Sequence, residues 1–347
     1  MIMLIDFDYF FAQVEELNNP SLKGKPVVVS VYSGRNERSG AVATSNYEAR
    51  AIGIKSGMPL YRALEIGKDR AIFLPIRKEF YQKYSERIMD IISEYSDKME
   101  IASIDEAYIE IDGNDCKMDI AKEIKNRILN ETGIKVSIGI GLNKVIAKIA
   151  ADMAKPDGIK CISAEETLQF LNDIKIKDVP GIGKVLSKNL NEIGINYLKD
   201  IKNFDVNKIK SILGESKTNY LYELYENKYF SPVEKRVKKN FGRYLTLPEN
   251  TRDVNKIMPY LEKSIESAYE KAPGLPQEIS VVAIMEDLDI ISRSYTNGII
   301  KKNDAVKIAL NLLNKIISDD ARNIRRIGIR LSKISKNNTL DDFFNTS

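Results

Sequence analysis

The first strand that the sequence predicts is apolar and ends in acids. Residues 1–5 read Met-Ile-Met-Leu-Ile, which indicates a short buried strand, and Asp6 and Asp8 follow at once. A second acidic pair, Asp105 and Glu106, lies near the tip of a predicted hairpin. Carboxylates at the ends of buried strands are unfavourable unless a cation neutralises them. The pattern therefore favours either a cation site built from strand ends or plain turns, in which Asp is common.

Histidine is absent from all 347 residues, which excludes imidazole acid–base catalysis, serine–histidine and cysteine–histidine nucleophiles, and HExxH zinc sites. The two cysteines, Cys116 and Cys161, are too few for a zinc cluster or a disulfide framework, so we expect reduced thiols and a cytoplasmic location. No apolar run approaches the roughly 18 residues that span a bilayer, and we expect no membrane contact. Any metal ion is therefore expected to have oxygen ligands.

The hydrophobic pattern divides the chain into segments. A length of 347 residues exceeds what one hydrophobic core usually serves, so several domains are expected. Residues 1–165 mix predicted strands and helices, residues 166–230 are predicted to be helical, and residues 241–341 mix strands and helices again. Residues 231–240 are charged and lack apolar periodicity, which is typical of a linker. The pattern predicts an α+β protein of several domains.

A possible phosphate-binding group precedes and includes a short predicted helix. Thr44 or Ser45 can cap this helix, and Tyr47 and Arg50 share one of its faces because they are three residues apart. Arg50 can bind two phosphate oxygens at once, and Tyr47 can donate a hydroxyl hydrogen bond. Lys155 ends another predicted helix, where it either binds phosphate or complements the helix dipole.

Residues 179–184 read Val-Pro-Gly-Ile-Gly-Lys and precede an amphipathic helical pattern. Backbone at Gly181 and Gly183 can approach a phosphate closely, and the helix that begins near Lys184 supplies N–H donors. This turn resembles the hairpin of helix-hairpin-helix motifs, which hold DNA backbones without reading bases. The alternative is an ordinary turn between two helices.

The formal net charge is +4, and the basic excess lies in residues 231–347. The basic side chains there form two groups: Lys235, Arg236, Lys238, Lys239 and Arg243, then Arg322, Arg325, Arg326, Arg330, Lys333 and Lys336. They indicate either a surface that binds a polyanion or a solvated surface without a partner.

Five segments occur in the order that they have in the Y-family DNA polymerases, and the chain resembles the archaeal DinB class of that family. The segments are residues 6–11 (DFDYFF), 45–50 (SNYEAR), 103–108 (SIDEAY), 151–156 (ADMAKP) and 179–183 (VPGIG). The resemblance covers essentially the whole chain. It implies a right-hand polymerase fold and lesion-bypass DNA synthesis.

The family's domain plan implies a helical thumb and an α/β little finger on a linker. The implied domains are a palm at residues 1–10 and 78–165, fingers at 11–77, a thumb with the helix-hairpin-helix at 166–230, a linker at 231–241, a little finger at 242–341 and a tail at 342–347. We expect a monomer.

The resemblance also assigns an active site that holds two Mg²⁺ ions. The implied metal ligands are Asp6, the Phe7 carbonyl, Asp105 and Glu106. Glu106 would complete the site of the ion that activates the primer 3′-hydroxyl, whereas Asp8 is not a ligand in the family.

Further roles follow from the same resemblance. The residues implied to grip the incoming dNTP are Thr44, Tyr47, Arg50 and Lys155. Phe11 matches the family's steric gate, an aromatic ring that would clash with a ribose 2′-hydroxyl. The residues expected to contact template–primer DNA are Gly181, Gly183, Lys184, Arg243, Arg325, Arg326 and Arg330.

The last residues of the chain suggest a protein partner. Asn337, Leu340, Phe343 and Phe344 are spaced like a sliding-clamp-binding peptide, although glutamine is usual at the first position. Adjacent exposed aromatic side chains are unfavourable without a partner, which favours the clamp hypothesis. The alternative is that the two phenylalanines only anchor the tail.

Two other functions compete with DNA synthesis. One is a non-enzymatic DNA-binding scaffold, which would not need clustered acids that repel DNA. The other is a nucleotidyl cyclase, which also uses two metal ions but handles no polymer and needs neither the hairpin nor the basic C-terminal third. The acids and the hairpin together favour a polymerase.

Overall fold

The computed structural model describes residues 1–113 and 115–335. Within these residues the strands are β1 Ile2–Asp6, β2 Val27–Tyr32, β3 Gly40–Ser45, β4 Ile72–Pro75, β5 Met99–Ser103, β6 Glu106–Glu110, β7 Ser137–Gly141, β8 Ile159–Cys161, β9 Phe241–Thr251, β10 Pro276–Met285, β11 Ile290–Thr296 and β12 Ile324–Ile334. The α-helices are α1 Phe10–Asn18, α2 Tyr47–Ala51, α3 Leu60–Gly67, α4 Lys78–Ser93, α5 Met118–Thr132, α6 Lys144–Ala154, α7 Thr167–Asp173, α8 Lys184–Glu192, α9 Val206–Leu213, α10 Glu215–Tyr225, α11 Val254–Lys271 and α12 Lys302–Asp319. Short 3-10 helices lie at Pro20–Leu22, Ile176–Asp178 and Leu198–Asn203.

The chain forms two compact units. The first contains residues 1–30, 42–58 and 62–236, and the second contains residues 31–41, 59–61 and 237–335. The main division falls inside the predicted linker. The palm, finger and thumb boundaries remain predictions.

Strand β1 lies at the centre of a five-stranded sheet with the order β5-β6-β1-β7-β8. All five of its residues are buried, because helices cover both faces of the sheet. Met3 and Ile5 belong to a core that includes α4 and α5, whereas Leu4 packs against α6. Complete burial of a side chain such as Leu4 stabilises the fold by about 1.5–3 kcal/mol.

Helix α6 packs closely against β7, and a glycine makes this possible. A Cβ atom at Gly139 would lie 2.1 Å from the carbonyl oxygen of Ala147 and from the amide nitrogen of Ala151. Glycine therefore lets the helix backbone touch the strand. The close approach places Lys148 of α6 beside the end of β1.

A three-stranded sheet with the order β3-β2-β4 carries helices α2 and α3. Its small core contains Val28 and Val42 from the strands and Ala49 and Ala63 from the two helices. This sheet holds the start of α2, and thus Tyr47, in place.

Residues 166–230 are helical, as the sequence predicted, and comprise α7 to α10 with two of the 3-10 helices. Their core includes Leu190, Ile209 and Leu221 and continues into Ile146 of α6. Helix α6 therefore belongs to two hydrophobic cores and joins the sheet to the helical segment.

Residues 231–240 contain no helix or strand, as expected for a linker. The first part of this segment is nonetheless packed, because Val233 is buried against the face of β1 that carries Leu4. Glu100, which is 2% exposed, accepts hydrogen bonds from Arg236 at 2.6 Å and from Lys144 at 2.7 Å. The linker is thus anchored to the sheet as far as Arg236.

The second unit contains a four-stranded antiparallel sheet with the order β11-β10-β12-β9. Helices α11 and α12 cover one face, where Leu261 and Leu313 pack against Ile327 and Ile329 of β12. In the same unit, Arg35 donates to the Arg325 carbonyl at 3.3 Å.

The expectation of reduced thiols is not met, because Cys116 and Cys161 form a disulfide. The residues are 45 positions apart, but their Cα atoms lie 6.0 Å apart, since the segment before α5 lies beside the end of β8. Sequence spacing alone does not reveal this proximity. Among the described residues, no helix is long and apolar enough to cross a membrane.

Candidate active site

The two acidic segments that the sequence singled out meet at one edge of the five-stranded sheet. Asp6, the last residue of β1, pairs in register with Glu106, the first residue of β6. The N–H of Phe7 donates to the Asp105 carbonyl at 3.0 Å, so the backbones of both segments are in contact. Asp6 is 3% exposed, whereas Asp105 and Glu106 are half-buried. A buried carboxylate therefore lies at the base of a partly open acidic site.

Two lysine ammonium groups neutralise this site. Lys148 of α6 donates to Asp6 Oδ2 at 3.0 Å and also to Glu106 Oε1, so it bridges the two carboxylates. Lys155, immediately after α6, donates to Asp6 Oδ2 at 2.7 Å and to Asp152 Oδ1 at 2.9 Å. Sequence reasoning identified Lys155 but missed Lys148. The only local signal was their spacing of seven residues, which places both on one side of a helix.

The charges in this cluster depend on one another. Burial raises the pKa of Asp6, but the attraction of Lys148 and Lys155 outweighs it and the pKa is lowered. Burial also raises the pKa of Glu106, and here the opposing attraction of Lys148 is too weak to reverse the shift. Burial lowers the pKa of Lys148, but the carboxylates of Asp6 and Glu106 outweigh it and raise the pKa. The lysine therefore stays charged and holds both acids.

The carboxylate of Asp105 is hydrogen-bonded to a neighbouring serine. Its Oδ1 accepts a hydrogen bond from the Ser103 hydroxyl at 2.5 Å. Residues 1–113 and 115–335 contain no group of three or more acidic, cysteine or histidine side chains placed to hold a metal ion. The donors nevertheless fit a hard cation in type, since Asp6 and Glu106 already share one cation and Asp105 is attached beside them.

The Phe7 carbonyl, which was expected to face a metal ion, is held by a buried side chain. Gln13 of α1 donates through Nε2 to the Phe7 carbonyl and to the Lys135 carbonyl, at 2.9 Å each. Gln13 Oε1 accepts from the Lys135 N–H at 3.0 Å. A carbonyl oxygen has two lone pairs, so Phe7 retains one for another partner. Gln13 was missed because Lys135, which fixes its side chain by two hydrogen bonds, lies 122 positions away.

Asp8 ties the end of β1 to neighbouring backbone. Its carboxylate accepts from the Ser137 hydroxyl at 2.7 Å and from the Asp157 N–H at 3.1 Å. Burial raises the pKa of Asp8, and these hydrogen bonds oppose the increase only in part. These contacts give Asp8 a structural role, which agrees with its place outside the implied ligand set.

Tyr47 contributes an unpaired polar group to the same region. Its hydroxyl oxygen is buried and has no hydrogen-bond partner within the described part of the chain. Burial is the main cause that raises the pKa of Tyr47, the charge of Asp8 adds to it, and Arg50 and Lys155 oppose it. These charges act on the hydroxyl because Tyr47 packs against Tyr9, next to the acidic end of β1, with ring centroids 5.1 Å apart. A buried hydroxyl without a partner is a candidate ligand contact.

Helix α2 begins differently from the sequence prediction. Asn46, and not Thr44 or Ser45, caps the helix by accepting the Ala49 N–H at 3.0 Å. Asn46 is the cap because its buried side chain is held in place by further hydrogen bonds to neighbouring backbone and to Glu16. Thr44 lies near the end of β3 and is half-buried.

Arg50 lies against Tyr47, as their spacing predicted. Its guanidinium lies 4.9 Å from the centre of the Tyr47 ring, and its Nε donates to the Ser45 carbonyl at 2.9 Å. This contact orients the guanidinium on the helix face that carries Tyr47. The two side chains therefore form one polar group at the start of helix α2.

Phe11 stacks on an aromatic ring that the sequence did not single out. The rings of Phe11 and Tyr81 have centroids 4.5 Å apart and planes at 17°. Tyr81 is fully buried and donates through its hydroxyl to Glu15 Oε1 at 2.6 Å. The Phe11 ring therefore rests on a fixed support.

The glycine-rich turn precedes α8, as predicted. Gly181 has φ +87°, which favours glycine, and Gly183 is the helix cap without a side-chain hydrogen bond. Lys184 is the exposed first residue of α8, and a bracing hydrogen bond runs from the Tyr220 hydroxyl to the Pro180 carbonyl at 2.9 Å. A groove of about 980 Å³ extends from this turn to Lys148. The first N–H groups of α8 thus lack a side-chain cap beside an open groove.

Two of the four candidate arginines share one face of the second unit's sheet. Arg326 and Arg330 alternate with the buried Ile327 and Ile329 along β12, so they project from the face without helices. The Nε atom of Arg326 is buried and has no hydrogen-bond partner in residues 1–113 and 115–335. This face therefore offers a partly desolvated cationic donor.

The other basic candidates are placed differently. Arg243 pairs in register with Ile329, so it projects from the opposite face at the edge strand β9. Arg325 lies where the register between β12 and β9 shifts. Arg322 is neutralised by aspartates, including Asp320 at 2.8 Å. The basic surface is therefore smaller than the sequence suggested.

Comparisons with known proteins agree with this geometry. Residues 5–152 match the impB/mucB/samB family, and residues 164–195 match the helix-hairpin-helix motif of the same family. A relative named DNA polymerase IV from Picrophilus torridus is 87% identical over 344 residues, which cover 99% of this chain and 100% of that relative. A Y-family DNA polymerase chimera is 48% identical with a TM-score of 0.92, covering 97% of this chain and 99% of the chimera.

A solved insertion ternary complex of Dbh DNA polymerase is 47% identical with a TM-score of 0.71, covering 97% of this chain and 99% of that chain. The matches include both the segment with the acids and the glycine-rich turn. The chain therefore belongs to the Y-family DNA polymerases.

Proposed function

We propose that this chain is a DNA-directed DNA polymerase that copies damaged templates by adding deoxynucleotides to a primer 3′-hydroxyl. The observation that carries the proposal is the pairing of Asp6 with Glu106 on adjacent strand ends, with Asp105 bonded to Phe7 beside them. Family membership and the similarity to a ternary complex of a relative support the same reaction.

Two divalent ions, which we infer to be Mg²⁺, would supply Lewis-acid activation of the primer hydroxyl and neutralise the triphosphate. Asp6 and the Phe7 carbonyl would hold them at the end of β1. Asp105 would exchange its hydrogen bond from Ser103 for an ion. Glu106 would complete the site on the primer side.

The triphosphate would be held by Lys155, which contacts Asp6, and by the polar side chains at the start of helix α2. Lys155 would release Asp6 and bind phosphate oxygens, while the Tyr47 hydroxyl would gain the partner that it lacks. Arg50 would bind phosphate through its guanidinium edge, because its face lies over the Tyr47 ring. Thr44 lies near this group and would add a hydroxyl contact.

Phe11 would exclude ribonucleotides. An aromatic ring fixed under the sugar leaves no room for a 2′-hydroxyl, and the stack on Tyr81 fixes it. A smaller side chain at this position would remove the obstacle.

DNA would be held by phosphate contacts that read no sequence. The N–H groups after Gly181 and Gly183, with Lys184, would hold one backbone beside the groove that leads to Lys148. Arg326 and Arg330 would contact phosphates through the helix-free face of their sheet. Arg243 and Arg325, the other two predicted DNA contacts, would contact phosphates at the edge of this surface.

A sliding clamp would bind the tail of the monomeric enzyme. The residues of that hypothesis, Asn337, Leu340, Phe343 and Phe344, lie outside the described residues, and their spacing alone supports it.

Primer extension tests the proposal directly. A labelled primer on undamaged and abasic templates should be extended in Mg²⁺ and not in EDTA, and extension should continue past the abasic position. A DNA-binding scaffold would bind the same duplex without extending it in any divalent ion, and that result would overturn the proposal.

A further inference from the structure

Lys148 occupies the centre of the acidic site. It extends from α6 and contacts both Asp6 and Glu106, with its side chain 22% exposed. No motif in the sequence predicted this contact. Its ammonium binds the carboxylate oxygens that the proposed function assigns to divalent ions.

This ammonium has two opposing effects on ion binding. It keeps Asp6 and Glu106 together, although two carboxylates on adjacent strand ends would otherwise repel each other. It also places a positive charge about 3 Å from the oxygens that a divalent ion needs. An ammonium and a divalent ion cannot share these oxygens without strong repulsion.

We propose that Lys148 is a positioning residue that assembles the Asp6–Glu106 pair in the ion-free enzyme and is displaced when a divalent ion enters. This inference rests on the proposed function, since it takes both acids as metal ligands. Lys148 thereby weakens ion binding before substrates arrive and offsets the repulsion between the two carboxylates.

The structure also supplies a place for the displaced ammonium. Asp152 lies one helical turn beyond Lys148, its Oδ1 is 3.7 Å from Nζ, and its side chain is 51% exposed. A small change of the lysine rotamers would exchange Asp6 and Glu106 for Asp152. Asp152 also binds Lys155 and so holds both lysines near the site.

Ion affinity of the full chain, without DNA or nucleotide, tests this role. Mn²⁺ binding is measured from the electron paramagnetic resonance signal of the free ion. Lys148→Met should lower the dissociation constant by roughly tenfold, because a competing charge is removed. Lys148→Arg keeps the charge and should stay within about twofold of wild type. Lys122→Met, on the exposed face of α5, is the matched control and should have no effect.

A merely structural lysine would give the opposite result, since its loss would weaken ion binding or leave it unchanged. Either outcome for Lys148→Met overturns the inference. If Lys148→Met is folded but less stable than wild type in EDTA, the rise in melting temperature on adding Mn²⁺ decides. A larger rise with Mn²⁺ than in wild type supports the inference, and an equal or smaller rise overturns it.

The same titration separates this inference from the proposed function. Wild type with primer–template and a non-reactive deoxynucleotide analogue should bind Mn²⁺ at the acids. If it binds no more Mn²⁺ than primer–template and the analogue bind without protein, the metal assignment itself fails. If it binds Mn²⁺ while Lys148→Met leaves the affinity of the free protein unchanged, only the role of Lys148 fails.

Discussion

Replacing Tyr81 with leucine should loosen the proposed steric gate without removing it. Phe11 stacks on Tyr81 at a centroid distance of 4.5 Å, and Tyr81 is itself fixed by Glu15. Arg77 donates to the same Glu15 oxygen at 2.9 Å, which orients that carboxylate. The gate ring therefore depends on a chain of contacts that reaches away from the nucleotide.

The size of the effect follows from the stack. An aromatic pair contributes about 0.5–1.5 kcal/mol beyond the area that it buries. Tyr81→Leu should therefore relax discrimination against ribonucleotides by about twofold to twelvefold. Phe11→Ala removes the gate ring itself and should relax discrimination further. Tyr81→Phe keeps the ring, so discrimination should stay within about twofold while stability falls by about 1–2 kcal/mol.

The assay compares kcat/KM for a ribonucleotide and its matching deoxynucleotide on one template, in wild type and each variant. The ratio isolates sugar selection from general loss of activity. Unchanged discrimination in Tyr81→Leu would refute the reasoning. So would a change in Tyr81→Phe as large as that in Tyr81→Leu, because the hydroxyl rather than the stack would then matter.

Three other outcomes are expected. Arg326→Ala should reduce the slope of log DNA affinity against log salt concentration by about 0.9, because one phosphate contact is lost. Arg322→Ala should leave the slope unchanged, because aspartates already neutralise that arginine. Fluorescence anisotropy at several salt concentrations measures both slopes. Burial raises the pKa of Glu100, but Lys144 and Arg236 outweigh burial, and the pKa is lowered in the folded protein. The ion pairs of Glu100 therefore stabilise the fold fully above about pH 4.3, the usual pKa of glutamate, and this stabilisation is lost as the pH falls further. Glu100→Gln should therefore lose less stability in acid than wild type in thermal melts. Deleting residues 340–347 should spare extension of short primers and abolish stimulation by the clamp; unchanged stimulation would contradict the clamp hypothesis.

The sequence predicted the elements whose pattern is set by burial. Strand β1 and the hairpin that carries Asp105 are apolar between polar ends, and α6 shows a clear helical period. Strands β9 and β11 were missed, because they are exposed on one side and rich in polar residues. Edge strands owe their conformation to pairing with a neighbour, which one segment of sequence does not reveal.

The site was predicted in its backbone placement and less well in its side chains. The meeting of Asp6 with Glu106 follows from two strand ends, but the bridge by Lys148 depends on how α6 packs over β7. The hydrogen bond of Asp105 with Ser103 depends on a side-chain rotamer, which a sequence pattern does not predict. The disulfide also depends on proximity across the sheet rather than on spacing.

Primer extension by Asp105→Asn is the most direct test of the central claim that acids from two distant segments form one metal-dependent catalytic site. The substitution keeps the size of the side chain and removes its charge. Extension in Mg²⁺ should fall by roughly a hundredfold or more, while duplex affinity stays within about twofold. Asp90→Asn, at an exposed position of α4, should behave as wild type. Extension by Asp105→Asn at the wild-type rate would contradict the account.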